Sequence, residues 1–165
     1  MTGLALPSRA EGAEESRRMI HANALLVGTA GVLLRGPSGS GKSDMTRELI
    51  ALAQGAGLFA RLIGDDRVEI ENCNGRLLAR PHPAIAGAIE ARGLGILPVA
   101  HEPCGVIRCV IDLRGRGEDR LPRLPEPERA FAKLCGVALP RLAADAGESA
   151  AGRRIFSFIH DLVAF

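Results

Sequence analysis

The chain has 165 residues, 47% of them hydrophobic, and a formal net charge of +2. This length supports one domain with a sizeable core, and so small a charge argues against nucleic acid or an anionic membrane surface as partner. With no Trp, no Tyr and five Phe, platforms for stacking bases are excluded; no apolar stretch approaches a membrane span and no signal-peptide core opens the chain, so the cytoplasm is the expected location.

Residues 1–18, rich in Ala, Gly, Ser, Glu and Arg without an apolar period, read as a mobile tail. The remaining 19–165 read as a single folded domain, with order beginning near Met19. Leu25–Val27 and Val32–Leu34 are expected as two strands joined through Gly28–Gly31. A helix is expected from Ser43 to Gly55 or Gly57, where glycine suits a C-terminal cap. Phe59–Ile63 forms a short strand running into Gly64-Asp65-Asp66. Val68–Ile70 and Arg76–Ala79 flank Asn74-Gly75, the strongest hairpin signal in the chain. Ala84–Glu90 reads as a short helix or loop, and Val106–Leu113 as the clearest later strand. Residues 114–128 read as a charged, proline-bearing loop, and Pro127 opens a helix expected to end near Gly136. Ile155, Phe158, Ile159, Leu162 and Val163 form one apolar stripe of a terminal helix that packs on the core. The cysteines Cys73, Cys104, Cys109 and Cys135 form no C-x-x-C pair, and no zinc set is completed.

Chemistry concentrates at Gly36-Pro37-Ser38-Gly39-Ser40-Gly41-Lys42-Ser43, which reads G-x-x-x-x-G-K-S. Its context is a strand before and a helix after, the arrangement in which such a loop cradles phosphates on converging backbone N–H groups. Lys42 is placed to reach the β- and γ-phosphates and the Ser43 hydroxyl to ligate Mg²⁺. Lysine is scarce here: Lys42 and Lys133 are the only two, and a compact ammonium for phosphate explains the exception at 42.

Asp65-Asp66 ends an apolar strand downstream of the loop, where a carboxylate on the magnesium side is expected. Adjacent carboxylates repel, so one of the pair can serve a cation while the other takes a proton from an attacking hydroxyl. His21, Glu90 and Arg120 carry no signal of their own. They read as an unassigned histidine, a glutamate before the Arg92-Gly93-Leu94-Gly95 turn, and an arginine of a charged loop.

Together, Ile20-His21, Val32–Leu34 running into Gly36–Ser43, Gly64-Asp65-Asp66-Arg67-Val68, and Ile89-Glu90-Ala91-Arg92-Gly93-Leu94-Gly95-Ile96 resemble the bifunctional HPr kinase/phosphorylase family. The last segment resembles that family's own signature, and Asp119-Arg120-Leu121 a looser element; the resemblance covers about residues 20–125. It implies an α/β domain with a phosphate loop, related to phosphoenolpyruvate carboxykinase, in a short form limited to the C-terminal kinase domain and commonly hexameric. It implies ATP and Mg²⁺ as cofactors and HPr, or an HPr-like phosphocarrier of the phosphotransferase system, as acceptor of phosphate on serine. By position, His21, Lys42, Asp66 and Arg120 match catalytic residues, with Asp66 taking the serine proton. Ser43, Asp65 and Glu90 fall on the metal side, and Gly36 to Ser43 bind the nucleotide. A small-molecule or carboxykinase-like kinase and a nucleotide-sensing module without chemistry are the competing expectations. Pro98 departs from the signature's usual asparagine. The proline- and arginine-bearing stretch tied to the family's phosphorylase reaction has no match in Leu139–Gly147, which implies weak or absent reverse activity.

Overall fold

The computed structural model describes residues 16–115, 117–118 and 126–163. Among the described residues the strands and longer helices are, in chain order, β1 Arg17–Ile20, β2 Ala22–Val27, β3 Ala30–Arg35, α1 Lys42–Gly55, β4 Ala60–Gly64, β5 Val68–Cys73, β6 Arg76–Pro81, β7 Ala88–Ala91, β8 Gly95–Pro98, β9 Gly105–Leu113, β10 Phe131–Leu134, β11 Val137–Ala144 and α2 Ala151–Val163. The mixed α/β architecture agrees with the expected class. Strand β1 pairs with β5, so residues 17 and 18, expected as the end of a mobile tail, lie in a strand; residues 1–15 of that tail lie outside the described residues.

Nine strands form one sheet in the order β1-β5-β6-β9-β3-β2-β4, with β11 added to β9 and β10 to β11. The centre is β9, which runs parallel to β3. Its opposite edge is divided between two partners: β6 pairs with Gly105–Ile107 and β11, in parallel, with Val110–Leu113. The β3–β9 register shifts by one residue between Gly31 and Val32. An extra residue reverses which face the following side chains take, so Ile107 and Val110 lie in one cluster and Cys109 and Ile111 in the other.

Those clusters are the two halves of the core. On one face, Leu25, Val32, Leu34 and Ile111 pack beneath Met45, Leu49 and Ala53 of α1 and Ile155 and Ile159 of α2. The terminal stripe read from the sequence therefore serves packing, and its Ile155 and Ile159 are fully buried. The other cluster takes Leu33, Ile63, Val68, Ile70, Leu77, Val110 and Leu134, and among the described residues its buried members all come from strands.

Two expectations are corrected. Ala84–Glu90 contains only a single 3-10 turn, Pro83–Ile85, and Glu90 lies in β7, which pairs with β8 as a separate two-stranded sheet. The helix expected from Pro127 to Gly136 is likewise one 3-10 turn, Pro127–Arg129, followed by the hairpin β10–β11. Helix-forming Ala, Lys and Leu in that segment lose to tertiary packing, since Ala132 and Leu134 point into the core at strand spacing. The Asn74-Gly75 hairpin is present, with both residues at positive φ (53° and 79°), the twist that two-residue hairpins require.

Candidate active site

Strand β3 delivers the chain at Arg35, and Gly36–Gly41 turns back before α1 begins at Lys42. Gly41 holds φ 89° at the helix N-cap, a left-handed backbone that a Cβ would strain. This starts α1 with its N–H groups facing the loop's concave side, where anions are favoured.

Lys42 is only 6% exposed. Its Nζ donates to Gly36 O at 3.0 Å and Pro37 O at 3.2 Å, folding the side chain back over the loop. Burial lowers the pKa of its ammonium, and the carboxylates of Asp66 and Asp65 oppose that shift. An ammonium held in a desolvated pocket attracts phosphate more strongly than one in water.

Strand β4 ends at Gly64 and hands over to Asp65 and Asp66, which behave differently despite being adjacent. Asp65 is 5% exposed. Its Oδ1 accepts from Ser43 Oγ at 2.8 Å and Asn23 Nδ2 at 2.5 Å, and its Oδ2 from the Glu90 backbone N–H at 2.9 Å. Each donor is neutral, and among the described residues no arginine or lysine forms an ion pair with Asp65. The carboxylate is therefore fixed in direction by hydrogen bonds, directly against the serine of the loop. That donor set suits a hard cation such as Mg²⁺, which takes one or two protein oxygens and completes its shell with phosphate and water. Accordingly, no group of three His, Cys, Asp or Glu among the described residues is arranged to hold a metal by itself.

Asp66 adopts φ 62° and leaves its side chain 62% exposed, with Oδ1 2.5 Å from His21 Nε2. The residues expected as histidine and base are thus in contact although 45 positions apart. Glu90 reaches the site through its backbone, as described, and lines the pocket with an exposed side chain. Arg120 lies outside the described residues.

Three adjoining hollows map the surface. A pocket of about 220 Å³ between the loop and the carboxylates is lined by Lys42, Ser43, Asp66, Glu90 and Arg92. Beyond Gly39, Gly41 and Asp44 it meets a cleft of about 460 Å³ that continues along Met45 and Glu48. On the opposite side, past Ser38, an open hollow is bordered by Met19, Ile20, His21, Asp66 and Arg67. Asp66 borders both the central pocket and this outer hollow.

Sequence reasoning missed Asn23, Thr46 and Arg92. Asn23 carried a signal, being the one polar residue in the apolar run Ala22–Val27. Arg92 was visible only as part of a turn, and Thr46 as an unremarkable helix position.

Fold and site define a phosphate-loop α/β domain with a split carboxylate pair. The family model of the HPr serine kinase C-terminal domain matches residues 13–114, and the chain belongs to that family. Among curated proteins it is similar to the HPr kinase/phosphorylase of Mycoplasma mycoides subsp. mycoides SC, at 29% identity over 87% of this chain and 46% of that protein. It is also similar to that of Levilactobacillus brevis, at 33% identity over 62% of this chain and 32% of the other. The chain thus spans about half or less of the length of these relatives. The solved HPr(Ser) kinase/phosphatase from Coxiella burnetii shares the fold, with a TM-score of 0.67 at 23% identity, covering 89% of this chain and 94% of that one.

Proposed function

We propose that this domain is an ATP-dependent protein-serine kinase acting on HPr or an HPr-like phosphocarrier of the phosphotransferase system, in the cytoplasm. The observation that carries the reading is the unequal pair: Asp65 buried against Ser43 of the loop, and Asp66 exposed beside His21 at the border of an open hollow. Such an arrangement supports a reading with nucleotide and metal on one side of the carboxylates and a macromolecular hydroxyl on the other.

The loop N–H groups and Lys42 hold the triphosphate, and Ser43 with Asp65 would hold Mg²⁺, which supplies charge neutralisation on the phosphate oxygens when bound. Asp66 accepts the serine proton as the serine oxygen bonds to the γ-phosphorus and the bond to the β-phosphate oxygen breaks, releasing ADP. His21, 2.5 Å from Asp66 Oδ1, orients that carboxylate. Arg120, by its family position, belongs on the transferred group, and Glu90 beside the metal. Alignment of reactants and fixed charge supply most of the acceleration. Assembly as a hexamer belongs to the same reading.

The test is to incubate the protein with labelled ATP and the host's own HPr-like carrier and to map the labelled residue. Label on one serine supports the proposal. Transfer only to metabolites would favour a small-molecule or carboxykinase-like kinase, and binding without transfer a nucleotide-sensing module.

A further inference from the structure

Asn23 stands on β2, two residues after His21, and is 1% exposed. Its amide is fully engaged. Nδ2 donates to Asp65 Oδ1 at 2.5 Å and to Thr46 Oγ1 at 3.1 Å, while Oδ1 accepts from the Asp66 backbone N–H at 2.9 Å. Chemistry fixes this orientation: the Asp66 N–H can only donate and the Asp65 carboxylate can only accept, so the amide cannot be reversed. Thr46 spends its own proton on Lys42 O at 2.8 Å and is left as an acceptor for Asn23. One side chain therefore joins β2, the turn after β4 and the first turns of α1.

We propose that Asn23 is a positioning residue that makes Asp65 and Asp66 chemically unequal. By donating to Asp65 it aims one carboxylate at Ser43, and by accepting from the Asp66 N–H it holds that residue at φ 62°, where its carboxylate turns outward to His21. Only a neutral side chain with both a donor and an acceptor can do both. A lysine or arginine at 23 would cancel the charge that Asp65 offers a cation, and an aspartate would repel it. An apolar residue would leave the buried Asp65 oxygen short of a donor.

The inference rests on the kinase reading only for its kinetic arm. In the full chain, Asn23→Ala is expected to lower kcat for carrier phosphorylation by about 10- to 100-fold, the range seen when groups supporting metal ligands are removed. KM for ATP should stay within about threefold, since Lys42 and the loop N–H groups are untouched and uniform binding is unaffected. Asn23→Asp keeps the acceptor for Asp66 but faces Asp65 with charge, so it should demand more Mg²⁺ for half-activation than Asn23→Ala.

A structural arm uses the backbone amide of Asp66 in ¹⁵N-labelled protein. Its hydrogen exchange should quicken at least about tenfold in Asn23→Ala and stay near wild type in Asn23→Asp. Leu77→Ala, a truncation in the core cluster on the opposite face of the sheet, controls for general loosening and should leave both kcat and this amide unchanged. Wild-type kcat and Mg²⁺ dependence in folded Asn23→Ala, or unaltered exchange at Asp66, would overturn the proposal. If Asn23→Ala does not fold, Asn23→Asp decides it, and wild-type Mg²⁺ dependence there would overturn it equally. Should the wild type transfer no phosphate to serine, the kinase reading fails while the exchange arm still tests Asn23.

Discussion

The Ser43 hydroxyl donates to Asp65 Oδ1 at 2.8 Å, closing the phosphate loop onto a carboxylate that comes from a separate strand. A cation binding between them would replace this hydrogen bond with two metal–oxygen contacts. Asp65→Asn keeps the shape but removes the charge, so it is expected to raise the Mg²⁺ concentration for half-activity by about tenfold or more. Measuring rate against free Mg²⁺ at saturating ATP checks this. If the midpoint stays fixed while the maximal rate vanishes, the roles of Asp65 and Asp66 are exchanged.

Lys42→Ala is expected to lower transfer by about 10³-fold, the scale of losing a preorganised charged donor to the reacting group. The other lysine, Lys133, lies on β10 in the hairpin packed beyond β11 and cannot substitute. Steady-state rates with thermal melting as a fold control test this, and substantial activity in a folded variant would remove the nucleotide site from the loop.

What was legible in the sequence was local. The loop, the Asp65-Asp66 pair, the Asn74-Gly75 hairpin and the terminal stripe each carry their signal within a few residues. The site is assembled by topology: His21 meets Asp66 and Asn23 meets Asp65 across more than forty positions, separations on which periodicity is silent. The hairpin β10–β11 was hidden for a related reason. Its turn, Cys135-Gly136, adopts positive φ at both residues (47° and 79°), but Cys is not a residue that announces such a turn. Glu90 was found through a family resemblance, and its strand was not seen because β7 and β8 are four residues each.

Asp112 links two arginines beneath the loop. Arg35, the residue before Gly36, grips it with two hydrogen bonds of 2.8 Å, and Arg141 Nε donates to the same Oδ2. Burial alone would raise the Asp112 pKa, but Arg35 and Arg141 together outweigh it and hold the value below the ordinary 3.8. A folded pKa below the unfolded one gives stability that is fully present above the unfolded value and is lost as pH falls through the folded one. Asp112→Asn should therefore cost about 2 kcal/mol near pH 7, a part-buried pair being intermediate between exposed and buried cases. The deficit should shrink below about pH 4. Urea unfolding of both proteins at pH 7 and pH 3 measures it, and an equal difference at both would contradict the linkage.

The same network bears on reversal. Removing phosphate from a phosphoserine with inorganic phosphate needs a second anion site, for which arginine is the usual residue. Arg141 is committed to Asp112, and Arg154 to Glu148 at 3.0 Å. On its Asp145-Ala146-Gly147 side the adjoining cleft offers one carboxylate and no donor side chain, and of the two arginines that line it elsewhere, Arg92 and Arg114, the second is paired with Glu118. We expect dephosphorylation of the serine-phosphorylated carrier at millimolar-scale phosphate to run far slower than the forward reaction; comparable rates would show that another group supplies the site.

Asp66→Asn tests most directly whether Asp66 takes the serine proton without itself holding the nucleotide. The amide preserves size and can still meet His21, but it cannot accept the serine proton. Single-turnover transfer to the carrier should fall by at least about 10²-fold, the usual worth of a general base, with ATP affinity, measured by titration calorimetry on the same sample, within about threefold of wild type. Transfer at the wild-type rate, or a loss of transfer matched by an equal loss of ATP binding, would contradict the account.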